Sequence, residues 1–277
     1  MTAHRRLPDL GLDPLTARSL ALSALLGTHP PRLPVRAIVA LGELFGIAEG
    51  TMRTAISRMI MSGELLADDG WYSLGNRLQR RQASQDAARH HVGEPWDGTW
   101  WFAIVGAERR SHPSRRTFRA VMSEHRMGEL RPEVWLRPAN LPGPASLDGV
   151  VVVRGTIEGP FGRGGDPLEI ARQLWDLEAI VTTSDELTGL VGQALEWLQP
   201  GDPAVLVDTF LLSVAVVRFL LAEPQLPREL VGGEWPPDGL RTAYDRLERV
   251  HGTVLGTFLR NAAQPSVTGL DHREHLM

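Results

Sequence analysis

The sequence predicts a multidomain α+β protein, and three observations carry that reading. Two stretches of helical apolar spacing, 35–44 and 48–62, run straight into a hairpin pattern at 64–74. Between residues 96 and 157 a single amphipathic helix lies among short apolar strands. From Asp166 onward the spacing is almost wholly helical.

The first helix is expected to begin at Asp13 and Pro14, a capping residue followed by one tolerated in a first turn. Leu20, Ala21, Ala24 and Leu25 form its apolar face, and Gly27 ends it. Residues 28–34 hold three prolines and read as a rigid loop. In the next helix Val35, Ile38, Val39 and Leu44 share a face that stops at Gly46. Met52, Ala55, Ile56, Met59 and Ile60 then lie at i, i+3, i+4, i+7 and i+8, one buried stripe. Thr51, Arg53, Thr54, Ser57 and Arg58 occupy the opposite face. Their hydroxyls and guanidinium groups are what DNA phosphates and base edges accept. After Gly63, residues 64–68 and 71–74 flank Asp69-Gly70, a dipeptide suited to a two-residue hairpin turn. Helices followed by such a hairpin predict a winged helix-turn-helix over residues 10–75, with Trp71 on the wing.

Residues 76–95 read as a polar, helical linker carrying Arg77, Arg80, Arg81 and Arg89. They are either a solvated face or phosphate contacts beside the wing. The segment 96–165 is expected to be a small α+β domain. Its strands are placed at 100–105, 133–136 and 149–157, its helix at 114–127, and a Pro/Gly loop at 140–146. Residues 166–263 are expected to be a helical domain, with helices at 168–179, 185–198, 204–222 and 240–260. The tail from Gln264 is polar.

Composition narrows the function classes. Cysteine is absent, which removes disulfides, thiolate metal sites and cysteine nucleophiles. The first 14 residues lack the apolar core of a signal peptide. The longest apolar run, 204–222, contains Asp208 and Arg218 and reads as a buried helix rather than a membrane span, so a cytoplasmic location without membrane contact is expected. All 29 basic residues are Arg. Residues 1–149 hold 19 Arg and 15 acidic residues, a balance of +4, against −8 for the rest of a chain whose net charge is −4. A basic front half suits a polyanionic partner.

These residues resemble the PaaX family of bacterial transcriptional regulators, named for a repressor of phenylacetate catabolism. Met52-Arg-Thr-Ala-Ile-Ser-Arg-Met59 is similar to the family's arginine–x–alanine–x–x–arginine recognition helix. Trp96-Asp97-Gly98-x-Trp100, Gly128-Glu129-Leu130-x-Pro132-x-Val134-Trp135, Leu174-Trp175-Asp176-Leu177 and the late Leu226-Pro227 and Trp235-Pro236 fall in the family's order. The resemblance covers about residues 10–260. It implies a winged-helix head, a ferredoxin-like middle domain similar to a small CRISPR-associated nuclease, and a helical C-terminal domain. It also implies a homodimer on a palindromic operator in double-stranded DNA. The expected function is a repressor released by a small effector such as an acyl-coenzyme A thioester, with no catalytic activity. Where relatives carry histidine-glutamate-tyrosine-arginine, this chain has Ala215-Val216-Val217-Arg218, so the effector need not be the family's own. Trp135 and Trp175 are candidates for an acyl cleft, and Arg115 and Arg116, in a cluster with Arg109, Arg110 and Arg119, for its phosphates. The alternative reading of that cluster is a solvated helix face or a second DNA-facing patch.

Other motifs are weaker. The glycine-rich residues 159–165 lack the Lys-Ser/Thr and the G-x-G-x-x-G spacing of phosphate loops, and read as a turn. Asp271-His272-x-Glu274-His275 has metal-ligand types but sits in the polar tail, and the adjacent His90 and His91 diverge on a helix. No metal or cofactor is therefore expected. Asp97 is the lone acid near the first middle-domain strand and reads as a turn former, with Trp96 and Trp100 as core or interface anchors. The alternatives are a metal-dependent nuclease or a coenzyme A-thioester enzyme bearing a DNA-binding head, or a regulator without a ligand.

Overall fold

The computed structural model describes residues 10, 13–90, 94–106, 112–144, 148–158, 166–198 and 203–263. The first elements are α1 (Ala17–Leu26), β1 (Arg32–Pro34), α2 (Val35–Leu44), α3 (Glu49–Met61), β2 (Leu65–Asp68), β3 (Trp71–Leu74) and α4 (Asn76–His90). Then come β4 (Trp100–Val105), α5 (His112–Glu124), β5 (Gly128–Arg131), β6 (Val134–Pro138) and β7 (Val150–Gly155). The remaining helices are α6 (Pro167–Leu174), α7 (Leu177–Trp197), α8 (Pro203–Ala222), α9 (Arg228–Val231) and α10 (Pro236–Ala263). Helices dominate and both sheets are antiparallel, so the α+β class holds. The chain forms two compact units: Met1–Ser84 with Ala194–Leu211 and Glu248–Met277, and Gln85–Gln193 with Leu212–Leu247.

In the first unit α1, α2 and α3 bury Leu20, Leu25, Ile38, Leu41, Met52, Ile56 and Met59. The N-cap of α1 is Thr16, whose hydroxyl accepts from the Ser19 amide at 3.1 Å, not Asp13 as the sequence suggested. Three strands, not two, make the small sheet, in the order β1-β3-β2. Leu33 pairs with Tyr72 inside what read as a Pro-rich loop, and Pro34 ends the strand, where a missing amide is tolerated. The polar helix α4 is anchored: Leu78 and Gln82 are buried, and Gln82 Nε2 donates to the Leu26 carbonyl at 2.7 Å, satisfying an open end of α1. From α8 and α10 the same unit takes Phe210 and His251, with Phe45 edge-on to Phe210 at 5.3 Å. By length and composition α8 could cross a membrane. Along it Val205–Phe210, Leu212, Val216 and Leu220 are buried, those up to Leu211 belonging to this unit and those from Leu212 to the other.

Gly75 joins β3 to α4. A Cβ there would sit 2.2 Å from the Gly63 carbonyl oxygen, and the Gly75 amide donates to Glu64 at 2.8 Å. The obstacle is backbone, which cannot rotate away. Gly75→Ala should cost about 1–3 kcal/mol, as overpacking does, read as a lower thermal midpoint. An unchanged midpoint would mean that the β2–β3 hairpin shifts freely.

In the second unit the strand order is β5-β6-β4-β7, every neighbour antiparallel. One face carries Ala103, Val105 and Trp135 against Phe118, Val121 and Met122 of α5. The other carries Trp100 and Leu136 against Ile170 and Ala171 of α6, Leu230 of α9, and Trp235. Trp100 is thus a core anchor, with Trp96 edge-on to it at 5.7 Å. Asp97 closes a turn by accepting from the Thr99 amide at 3.1 Å.

Strand β5 escaped the sequence pattern because only Leu130 in Gly-Glu-Leu-Arg is strongly apolar. Gly128 is required there: a Cβ would meet Leu174 Cβ at 2.6 Å, so glycine lets α6 close on the sheet. The helix expected at 168–179 is two helices, and the one expected at 185–198 is the second half of α7. Trp175 is extended, and Asp176 caps α7 by accepting from the Ala179 amide at 3.0 Å.

A buried polar cluster ties this unit together. Glu223, 2% exposed, accepts from Trp235 Nε1 at 2.9 Å, from the Gln225 amide at 2.7 Å, and from Arg241 Nη2. Arg126 Nη1 lies 3.5 Å from the same carboxylate and donates to the Glu223 carbonyl, while its Nη2 donates to Leu220 at 2.9 Å. Asn140 Nδ2 donates to the Gln225 carbonyl at 2.8 Å. Arg126 and Gln225 both hold left-handed backbone, at φ 57° and 53°.

Candidate nucleic-acid interface

Helix α3 places its residues by simple periodicity. Met52, Ile56 and Met59 face the core, so Thr51, Arg53, Thr54, Ser57 and Arg58 are all exposed. Gly46, at φ 73°, turns the chain from α2 into α3. Gly42 keeps the two helices close: a Cβ there would meet Met52 Cε at 2.7 Å.

The five polar side chains are not equally free. Arg53 Nε is committed to Glu49 one turn back at 2.7 Å. Thr54 and Ser57 return their hydroxyl protons to the Gly50 and Arg53 carbonyls at 2.8 and 3.0 Å, leaving oxygen lone pairs outward. Arg58 has no ion pair among the described residues, and it borders a shallow depression lined by Gly50, Thr51, Thr54 and Ala55. Gly50 adds no side chain to this surface, so a ligand can approach the backbone there.

Beside α3 stands the β2–β3 hairpin. Asp68 pairs with Trp71 across Asp69 and Gly70, at φ 40° and 76°, the two left-handed residues that a two-residue turn needs. Trp71 is 40% exposed. Arg32 lies over its ring at 4.9 Å and pairs with Asp68 at 3.1 Å. Sequence reading missed Arg32 because its strand was hidden among prolines. Arg77 is exposed in the first turn of α4. Glu64, at the foot of the hairpin, is held below the usual carboxylate range, first by Arg18, whose Nε donates to it at 3.0 Å.

The residues expected around an effector are dispersed. Trp135 is buried edge-on to Phe118 on the α5 face of the sheet, whereas Trp175 packs on the α6 face. Arg116 is exposed on α5, and Arg119 pairs with Glu129 at 2.9 Å. Arg115 lies in α5, but its side chain is outside the described residues, as are Arg109, Arg110, residues 159–165, and the His90 and His91 side chains. The motif at 271–275 is also outside them. Among the described residues no three His, Asp or Glu side chains converge as metal ligands would.

The PaaX-like protein family model matches residues 16–78, the span of α1 through the start of α4. An uncharacterised protein, Rv0674 from Mycobacterium tuberculosis, has a similar solved structure. It is 34% identical, the match covers 88% of this chain and 98% of that one, and the TM-score is 0.67. No curated protein matches this chain. The exposed α3 face, the Asp-Gly hairpin beside it and the family match over the same residues place the chain in the PaaX-like protein family.

Proposed function

We propose that this protein is a DNA-binding transcriptional regulator, not an enzyme, with α1–α3 and the β2–β3 hairpin acting as a winged helix-turn-helix head. The observation that carries the reading is the exposed face of α3, Thr51, Arg53, Thr54, Ser57 and Arg58, beside a wing bearing Trp71. In this reading α3 enters the major groove, and the wing with Arg32 and Arg77 contacts the flanking backbone. A single head reads a short half-site, so two copies in a homodimer would read a palindromic operator. The finer reading is a cytoplasmic repressor released by an anionic effector of the acyl-coenzyme A type. The strand order β5-β6-β4-β7 supports a ferredoxin-like middle domain whose second crossover, residues 139–149, is a loop instead of a helix where it is described. The ligand must favour one dimer geometry over another, because equal affinity for both shifts nothing.

Of the two arginines, Arg58 should matter more, since Arg53 must first leave Glu49. Arg58→Ala should weaken operator binding by about 1–3 kcal/mol, the value of a bidentate guanine contact. If about six phosphates are neutralised, log affinity should fall with log salt at a slope near −5. Footprinting on genomic DNA, followed by titrations of the wild type and Arg58→Ala at several salt concentrations, tests both. A flat salt response, or full affinity in both Arg58→Ala and Arg53→Ala, removes this face from the interface.

A further inference from the structure

We propose that Arg137, at the end of β6 in the buried polar cluster, is a binding site for the carboxylate or phosphate group of a small ligand. Arg137 is 5% exposed, yet among the described residues no carboxylate pairs with it. One Nη donates to the Pro142 carbonyl, and its Nε has no partner. Its charged surroundings make matters worse. Burial and the like charge of Arg126 pull its guanidinium down to about 10, and His125 is held below its ordinary value by burial first and then by Arg137.

The cluster does not balance internally. Arg126, Arg137 and Arg241 bring three positive charges, and Glu223 and Asp238 two negative ones. Both carboxylates are engaged by Arg126 and Arg241. A buried cation without a counter-ion costs several kcal/mol in a protein interior. An anion from outside would remove that cost and satisfy the guanidinium fork bidentately. A second buried donor of the same cluster, Arg241 Nε, also has no partner. The left-handed Arg126 and Gln225 hold backbone strain of the sort that gathers at ligand sites. Strand β6 therefore brings a buried guanidinium with an unspent donor to a cluster with one negative charge too few.

This inference rests on the regulator reading only for its consequence, coupling of the anion to DNA release. The site itself is tested without DNA. The thermal midpoint of the full-length protein is measured in sodium phosphate, in sodium acetate and in sodium chloride at equal ionic strength, for the wild type and for Arg137→Met. At about ten times the dissociation constant, either oxyanion should raise the wild-type midpoint by about 3–5 °C beyond its effect on the variant. A larger rise with acetate assigns a carboxylate ligand, and one with phosphate a phosphate ester. In chloride Arg137→Met should be at least as stable as the wild type, because it removes an uncompensated charge. Arg137→Lys, which keeps the charge but loses the fork, should respond more weakly than the wild type. Equal oxyanion responses in wild type and Arg137→Met, or Arg137→Met and Arg137→Lys both losing stability in chloride, would show a guanidinium satisfied within the chain and overturn the proposal.

Discussion

Glu223→Gln should destabilise the folded protein by about 3–5 kcal/mol, the cost of breaking a buried ion pair by removing one partner. The side chain of Glu223 is wholly buried, and it meets both Arg126 and Arg241. Glutamine retains an acceptor for Trp235 Nε1 and the Gln225 amide, so shape and most hydrogen bonds survive while the charge does not. Arg126 would then be left with the carbonyls of Leu220 and Glu223 alone, and Arg241 with Asp238. Burial already pulls Arg126 down to about 10 with Glu223 in place, which shows how strongly the site resists the charge. Urea unfolding in chloride measures the effect. A loss below about 1 kcal/mol, the value of an ordinary hydrogen bond, would mean that the carbonyls suffice.

Most of the candidate DNA-binding surface was legible in the sequence because it obeys local rules. The stripe of Met52, Ile56 and Met59 fixes which side of α3 faces out, and Asp69-Gly70 fixes the hairpin. Local rules also explain the misses. Strand β1 exists because β3 offers it a free edge, although Arg-Leu-Pro has little strand propensity. Strand β5 is held by pairing with β6 and by α6 closing over Gly128. The break at Trp175 was signalled by Asp176 as a cap, but continuous apolar spacing on both sides masked it. The arginine–glutamate cluster was beyond reach: Arg126 and Glu223 are 97 positions apart, and each looks like an ordinary surface residue in its own segment. Local patterning places a charge on an element, while only the fold decides whether it is buried.

His251 should make the protein acid-sensitive over a defined window. Its ring is buried in the first unit, with Nδ1 2.8 Å from Thr209 Oγ1 and Phe210 6.2 Å away. Burial pulls its pKa down to about 4 in the folded state, whereas an unfolded histidine titrates near 6.5. Above about pH 6.5 both states hold the neutral ring, and its full contribution to stability is present. As pH falls, the unfolded chain takes up the proton first, and stability declines by about 1.4 kcal/mol per unit. The decline levels off near pH 4, where the folded ring also protonates, after a total of about 3 kcal/mol. Carboxylates titrate in the lower part of the same window, so the measurement is a difference: unfolding free energy from pH 7 to pH 4 for wild type and His251→Gln. The variant should lose the portion of the slope between pH 6.5 and 5, where carboxylates contribute little. Parallel curves for the two proteins would show that the ring reaches solvent. Because Phe210 lies between His251 and Phe45 at the end of α2, acid loosening at His251 should also lower the cooperativity with which the α1–α3 head unfolds.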